Sequence, residues 1–189
     1  MTIDFIMNSA YISAPRGISL IELLITISII SILVAVGLPQ FRSLYERWQV
    51  LQTAQSMQST LILARSLAIQ RGGKIGIRKV NDSQSCKNAG TNQEWGCGWF
   101  IYSDENDNGA WNTSEPKLHE IILKGDTNVM HTSGGINIKF DRFGMASGLN
   151  VKGFTFTPLD SGISSPATQT LCMSSGGRIR IINDSSCQK

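Results

Sequence analysis

The sequence has little of what enzymes and metalloproteins use. It contains only two histidines, His119 and His131, and its four cysteines include no CxxC pair. Structural zinc sites are usually built from such closely spaced ligands, so no zinc centre is expected. There is also no P-loop, and no nucleophile is grouped with a base and an acid. These absences argue against an enzyme, and we predict no cofactor.

The formal net charge is also small, at +3, and by itself says little about binding partners. Its distribution says more, because residues 139–189 carry six basic side chains against three acidic ones. The basic residues are Lys139, Arg142, Lys152, Arg178, Arg180 and Lys189. The C-terminal end is therefore locally basic.

Charge is almost missing from residues 18–38, where Glu22 is the only ionisable side chain. At about 1.5 Å per residue, an apolar helix of this length can cross the hydrocarbon core of a bilayer. A carboxylate near the start of such a helix is costly, so Glu22 should have a partner and a role.

The order of the N-terminal segments differs from that of an ordinary secretory signal, which is cut after its apolar region. Here the plausible cut lies before that region, between Gly17 and Ile18, so the apolar helix stays in the mature protein. The pattern resembles the class III signal of type IV prepilins and type II secretion pseudopilins. That resemblance implies cleavage by a prepilin peptidase after Gly17, methylation of the new amine of Ile18, and an assembly role for Glu22. Ile18 differs from the Phe that is usual at the first mature position.

A free amine at Ile18 and a carboxylate at Glu22 suit a filament of packed helices. The Glu22 carboxylate of one subunit can neutralise the Ile18 amine of its own or of an adjacent subunit, and each charge is costly in a low dielectric without such a partner. The alternative is a single-pass anchor in which Glu22 lies at the level of the lipid headgroups.

By pattern, the chain has three segments: a leader at 1–17, a transmembrane or filament-core helix at 18–40, and a soluble domain at 41–189. Beyond residue 40 apolar side chains recur at steps of three and four, which predicts one helix from Ile18 to about Arg71. Gly37 and Pro39 make a weak point in it, and Gly72-Gly73 should end it. The predicted apolar stripe comprises Phe41, Leu44, Trp48, Leu51, Ala54, Met57, Leu61, Ala64 and Ala68.

Short runs typical of strands follow Gly73, separated by turn residues. They predict an α+β fold in which the long helix packs on a small, mostly antiparallel β domain. The predicted strands are Lys74–Val80, Gly98–Ser103, Lys117–Leu123, Ile136–Phe140, Gly153–Thr157, Thr170–Ser174 and Arg178–Asn183.

The four cysteines, in a domain predicted to be exported, indicate disulfides. Sequence alone allows three pairings. Short loops favour Cys86–Cys97 together with Cys172–Cys187.

The segment Gly98–Gly109 resembles the signature of the GspH/FimT family of minor pilins and pseudopilins, with Tyr102 departing at an aromatic position. The resemblance implies the type IV pilin-like fold, a long helix against two small β-sheets. The same stretch matches a calcium-loop pattern through Asp104, Asn106, Asn108 and Glu115. A strand-like run precedes it where an EF-hand has a helix, and Asp or Asn beside Gly also suits a hairpin turn. We favour the hairpin, with calcium as the weaker alternative.

Four aromatic residues lie near this motif, and we predict that they pack in the core or on a sheet face, with a base-stacking platform as the less favoured alternative. They are Trp95, Trp99, Phe100 and Tyr102.

The C-terminal end carries a second informative pattern. Gly176-Gly177 predicts a turn, and Arg178 and Arg180 follow it two residues apart, so both guanidinium groups should project from one face of a strand. Paired guanidinium groups suit phosphate, which they contact without reading base sequence. The alternative is an ordinary edge strand whose charges prevent aggregation.

Gly177-Arg178-Ile179-Arg180 is similar to the G-R-x-R motif of FimT-type minor pilins. The resemblance implies a minor type IV pilin that binds extracellular double-stranded DNA, without sequence preference, during natural transformation. Its contacts would be Gly177, Arg178 and Arg180, and Lys189 could assist by charge alone. The expected partners are other major and minor pilins, and the expected location is the inner membrane with a periplasmic domain, then the filament. The alternative is a structural FimU-like minor pilin, or the H-type pseudopilin of type II secretion, that primes assembly without binding DNA.

Overall fold

The structure, a computed structural model, describes residues 17–146, 151–174 and 177–187, which fall into two units divided after Phe41. One helix, α1, spans Leu20–Arg71. The strands are β1 (Ile75–Lys79), β2 (Gly98–Ser103), β3 (Lys117–Ile122), β4 (Thr127–His131), β5 (Asn137–Phe140), β6 (Val151–Pro158), β7 (Gln169–Ser174) and β8 (Ile179–Ile182).

The start of α1 is fixed by Ser19, whose hydroxyl oxygen accepts a hydrogen bond from the backbone N–H of Glu22 at 3.2 Å. The Ser19 carbonyl accepts the N–H of Leu23 at 3.1 Å. Ser19 therefore caps the helix, and Glu22 stands in the first turn, where a carboxylate suits the helix dipole. The helix begins two residues after the predicted start because of this cap.

The first unit contains an apolar segment, Leu20–Gly37, with a mean hydropathy of 2.6 and no buried residue. Its three hydroxyl groups bond back to carbonyls three or four residues earlier: Thr26 to Leu23, Ser28 to Leu24 and Ser31 to Ile27, at 2.7–2.8 Å. Each of these hydroxyl groups therefore has a hydrogen-bond acceptor within the helix, which suits the segment to an apolar environment. By length and composition it is able to cross a membrane, a property that signal sequences share.

Helix α1 ends at the two glycines that the sequence predicted. Gly72 adopts a left-handed φ of +71°, and the N–H of Gly73 bonds to the Ala68 carbonyl at 2.7 Å. This is the Schellman arrangement, which needs a residue without a Cβ at the left-handed position. No break in the helical backbone occurs at Gly37 or Pro39.

In the second unit, α1 buries one side against the sheets. Its buried apolar residues recur at steps of four and three and are Val50, Ala54, Met57, Leu61, Ala64 and Ala68. The predicted stripe was wrong in its first half, since Phe41, Leu44 and Trp48 are all more than half exposed. Steps of three and four fit any apolar face of a helix, and the pattern alone does not say which part meets the sheets.

The eight strands form two antiparallel sheets, ordered β3-β2-β1-β5 and β4-β6-β7-β8. One apolar core joins residues of α1 to residues of both sheets, among them Ile77 and Trp99 of the first sheet and Phe156 and Leu171 of the second. The predicted α+β class, a long helix packed on a two-sheet antiparallel domain, is confirmed.

The aromatic residues of the central motif lie inside this domain. Trp95, Trp99 and Tyr102 have no exposed surface and Phe100 is 4 % exposed. The indole N–H of Trp99 donates to the hydroxyl of Thr60 on α1 at 2.9 Å, which joins β2 to the helix. Trp95 and Trp99 belong to the core, whereas Phe100 and Tyr102 pack against each other with 6.2 Å between ring centroids. Since all four rings are buried, none is available to stack on bases.

A buried lysine organises the loop before β2. The ammonium of Lys79, at the end of β1, donates to the backbone carbonyls of Ala89, Thr91 and Glu94. Burial lowers the pKa of Lys79, while the nearby charge of Glu94 opposes that shift. Because three carbonyls surround one cation, the predicted loop at 81–93 has a defined path without regular secondary structure.

Strand β4 had no counterpart among the predicted strands. Its buried residues alternate as a strand requires, but they are Thr127, Val129 and His131. Since two of the three are polar, the alternation of apolar and polar residues is hidden in the sequence. The His131 ring stacks on Phe154 of the neighbouring strand, with 4.7 Å between ring centroids.

Candidate nucleic-acid interface

The predicted arginine pair lies on the β7–β8 hairpin. Strand register places Arg180 opposite Cys172 and Ile179 opposite Met173. Ile179 and Ile181 are partly buried against the core, whereas Arg178 and Arg180 are exposed. The alternation of side chains along a strand therefore puts both guanidinium groups on the outer face, as their spacing predicted.

Both guanidinium groups lie without a partner among the residues that the structure describes. Within the described residues, no side-chain hydrogen bond or ion pair involves Arg178 or Arg180. Their side chains line an open groove of about 260 Å³, together with Cys172, Met173, Ser174 and Cys187. Two unpaired cations in one groove can accept a dianionic or a repeating anionic ligand.

The disulfide between Cys172 and Cys187 crosses this outer face and joins Cα atoms 5.6 Å apart. It ties the segment after β8 back onto β7, so the strand that carries the arginines is held on both sides. The pairing is the one that the sequence favoured. The other disulfide, Cys86–Cys97, joins the loop held by Lys79 to the residue before β2 and packs with Ala89.

The turn before the arginines is fixed by backbone hydrogen bonds. The Gly177 N–H donates to the Ser174 carbonyl at 2.9 Å, and the Ser174 N–H donates to the Arg178 carbonyl at 3.0 Å. Gly177 has a φ of +77°, which favours glycine. Gly176 and Lys189, also named in the sequence prediction, lie outside the described residues.

A third arginine, which the sequence did not single out, supports this turn. Arg65 of α1 donates from Nη1 to the Gly177 carbonyl at 2.8 Å. A methyl group at Gly177 would overlap the Arg65 guanidinium, so an alanine here would displace that flexible side chain in addition to straining the backbone. Only the chain fold reveals a contact between residues so far apart in sequence.

The calcium candidates lie in the loop between β2 and β3. Asp104 is fully buried and its two carboxylate oxygens accept the N–H groups of Asn108 and Gly109 at 3.0 and 2.8 Å. Glu115 accepts those of Glu105 and Asn112 at 3.1 and 2.9 Å. Antiparallel strands flank the loop where an EF-hand has helices.

A lysine ammonium also faces this loop. Lys139 donates to the Asp107 carbonyl at 2.6 Å and pairs with the Asp107 carboxylate at 2.8 Å, and these contacts lower the pKa of that carboxyl. The Asn106 and Asn108 side chains accept N–H groups of their own loop at 3.0 and 2.7 Å. The oxygens that could bind calcium are thus used to shape a wide hairpin turn. In the described ranges, no group of three or more His, Cys, Asp or Glu residues is placed to hold a metal ion.

The predicted processing and assembly residues lie at the start of the first unit. Gly17, Ile18 and Glu22 are all exposed, and Ile18 shows 74 % of its surface. Cleavage before Ile18 would therefore place a new amine one turn from the Glu22 side chain along the chain. Their roles in cleavage, methylation and assembly stay predictions.

The fold and the apolar N-terminal helix define a class, the type IV pilin-like proteins. The family model described as "Type II transport protein GspH" matches residues 53–186, and the "Prokaryotic N-terminal methylation motif" matches residues 12–38. The chain belongs to the GspH family of minor pilins and pseudopilins, which are structural proteins of pilus-type filaments. No curated protein sequence matches the chain.

Solved structures agree on the fold. The chain is similar to the type IV minor pilin FimU of Pseudomonas aeruginosa, with a TM-score of 0.55 and 19 % identity over 72 % of this chain and 90 % of that one. A second crystal form of FimU gives a TM-score of 0.52 and 18 % identity over 69 % and 90 %. At this identity the likeness establishes the fold alone.

Proposed function

We propose that this minor pilin-type protein binds extracellular DNA through Arg178 and Arg180 during natural transformation. The observation that carries the proposal is the pair of exposed guanidinium groups on one face of a disulfide-held hairpin, with no protein partner among the described residues. A planar guanidinium gives two parallel, charge-assisted hydrogen bonds to a phosphate. Such contacts bind the DNA backbone and read no base sequence.

The N-terminal segments supply the rest of the mechanism. In the proposal, residues 1–17 are removed by a prepilin peptidase and residues 18–40 anchor the protein in the inner membrane, with residues 41–189 in the periplasm. Pairing of Glu22 with the Ile18 amine then brings the helix into a filament of other pilins. The filament carries the arginine hairpin outside the cell, where it contacts DNA.

The competing function is a structural subunit that primes a pilus or a type II secretion filament without binding DNA. On that reading the arginines only protect β8, which forms one edge of its sheet. The two functions differ in one measurable property, salt-dependent affinity for DNA.

We expect the double variant Arg178→Ala/Arg180→Ala to bind duplex DNA at least about tenfold more weakly, since a hydrogen bond to a charged group contributes about 1.5 kcal/mol or more. The loss of two phosphate contacts should also reduce the slope of log affinity against log salt by about 2. Fluorescence anisotropy of a labelled duplex, between about 50 and 200 mM salt, measures both quantities. The full chain should be kept in a nonionic detergent, which adds no charge.

The matched control is Arg47→Ala/Lys87→Ala, which removes the same charge from two exposed positions outside the hairpin. It should leave the affinity within about twofold, because distant surface charges are largely screened at these salt concentrations. Equal losses in both double variants, or none in either, would favour the structural subunit.

A second expectation concerns the Cys172–Cys187 disulfide, which lines the same groove as the two arginines. Replacing Cys172 and Cys187 by serine should lower the free energy of unfolding by about 3 kcal/mol, the value for closing a loop of about 15 residues, and should also weaken DNA binding. Replacing Cys86 and Cys97 removes a bridge of similar span, 11 residues against 15. This control variant should lower the free energy of unfolding by a similar amount. Under conditions in which it is folded, its DNA affinity should be unchanged. Urea unfolding and anisotropy together test this, and equal DNA affinity in both variants would contradict it.

A further inference from the structure

A second exposed turn lies beside the arginine hairpin. It follows β5 and runs from Asp141 to Met145, with backbone hydrogen bonds of 2.9 Å from Gly144 N–H to the Asp141 carbonyl and from Asp141 N–H to the Met145 carbonyl. The Asp141 carboxylate accepts the N–H groups of Phe143 and Met145 at 2.9 and 2.8 Å. These four bonds fix the backbone of the turn and so the positions from which its tip side chains project.

The tip of this turn presents an aromatic ring and a cation. Phe143 is 65 % exposed, and the Arg142 guanidinium carbon lies 4.9 Å from the centroid of its ring. A cation held over one part of an aromatic ring leaves the rest of the ring open to a flat partner. The ring contributes to no core cluster of the described residues.

Arg65 connects this turn to the arginine hairpin. A Cβ at Gly144 would lie 2.6 Å from the Arg65 Cγ, and one at Gly177 would overlap the guanidinium of the same side chain. Both turns therefore pack closely against one arginine, Gly144 at its stem and Gly177 at its head. Phe143 precedes Gly144 and Arg178 follows Gly177, so both side chains belong to turns that contact Arg65.

Phe143 also lines an open groove of about 380 Å³, together with Lys74, Lys139 and Arg142. Two carboxylates also line it, but both are bonded within the protein: Asp107 pairs with Lys139, and Asp141 holds its own turn. The groove lining thus has three basic and two acidic side chains, with the exposed Phe143 ring at its side.

We propose that Phe143 and Arg142 form a base-stacking platform that, with Arg178 and Arg180, binds DNA whose bases are unpaired, as at single-stranded ends. The alternation of basic side chains with an aromatic face is the chemistry that recognises a single strand, because phosphates bind the cations while a base stacks on the ring. Bases inside a duplex are stacked on one another and do not reach Phe143. The platform rests on the proposed DNA-binding function and adds a preference for single strands to it.

Measuring one single strand of about 12 nucleotides and the matching duplex tests the platform. We expect Phe143→Ala, in the full chain in nonionic detergent, to weaken single-strand binding at least about fivefold, the lower end of what one stacked base contributes. Duplex affinity should change less than about twofold. Phe143→Trp should retain single-strand binding, and it should quench a 2-aminopurine base placed in the strand, a response that only direct stacking gives.

Ile163→Ala is the matched control, because Ile163 is 63 % exposed and its removal takes away a similar apolar surface elsewhere. It should change neither affinity. If Phe143→Ala lowers both affinities equally, or neither, the platform is wrong while the arginine contact to duplex DNA can still stand. If the unmodified protein binds neither DNA, both proposals fail. If it binds both, and Arg178→Ala/Arg180→Ala weakens the binding while Phe143→Ala does not, the platform alone fails.

Discussion

Replacing Gly17 by leucine should leave residues 1–17 attached to the protein extracted from membranes. The predicted cut lies between Gly17 and Ile18, and a peptidase that recognises a residue without a side chain has no room for a branched one. The uncut chain would carry no amine at Ile18, so the partner proposed for Glu22 would be missing. We therefore expect complete loss of processing and of incorporation into filaments.

Intact mass spectrometry of the purified protein distinguishes the cut from the uncut chain directly. Gly37→Leu is the control, because it makes the same substitution inside the apolar segment, where a Cβ meets no atom within 4 Å. It should be processed normally. An unchanged N-terminus in Gly17→Leu would place the cut elsewhere, and the roles proposed for Ile18 and Glu22 would fall with it.

The capping arrangement at the start of α1 bears on this prediction. Ser19 accepts the N–H of Glu22 through its hydroxyl, so the helix starts immediately after the proposed cut. In a cleaved chain, only Ile18 and Ser19 precede the helix, and the new amine is held close to the first turn. Positive charge at a helix N-terminus is unfavourable by itself, which strengthens the need for the Glu22 carboxylate as its partner.

Local chemistry made much of the fold predictable. Gly72-Gly73 ends α1 because a Schellman turn needs a residue in the left-handed conformation, and two adjacent glycines in the sequence predict such a residue. The β2 strand was predictable in the same way, from a run of β-branched and aromatic residues bounded by glycine and aspartate. The burial of Thr127 and His131 in β4 was not predictable. Their polar side chains break the alternation of apolar residues that marks a strand, and the partner strand β6 lies far along the chain.

The candidate site likewise has features that the sequence predicts and features that only the tertiary structure shows. Spacing alone predicted that Arg178 and Arg180 share a face, since side chains alternate in any strand. The support from Arg65 and the neighbouring Phe143 turn depend on where the helix crosses the end of the hairpin, a tertiary arrangement. Asp104 and Glu115 show the opposite case, in which a sequence pattern fits two structures and the flanking strands decide between them.

The largest loss of stability is expected from Gly98→Ala at the start of β2. Gly98 has a φ of +111°, which an alanine adopts only at a cost of about 1–2 kcal/mol or more. A Cβ here would also overlap the Ile121 carbonyl oxygen of β3, an atom of the backbone that no change of rotamer can move aside. Strands β2 and β3 would have to separate at this point.

Separation of these strands would disturb the core, because the next residue, Trp99, is fully buried and hydrogen-bonded to Thr60 of α1. We expect Gly98→Ala to lower the free energy of unfolding by about 4 kcal/mol or more, a large share of the about 5–15 kcal/mol that typically holds a protein folded. Gly162→Ala isolates the backbone cost, since Gly162 has a φ of +62° with no atom within 4 Å of its Cβ position. It should lose only about 1–2 kcal/mol. Urea unfolding followed by tryptophan fluorescence measures the free energy of unfolding of both variants. Equal losses of stability would show that β3 shifts to accommodate the added methyl group.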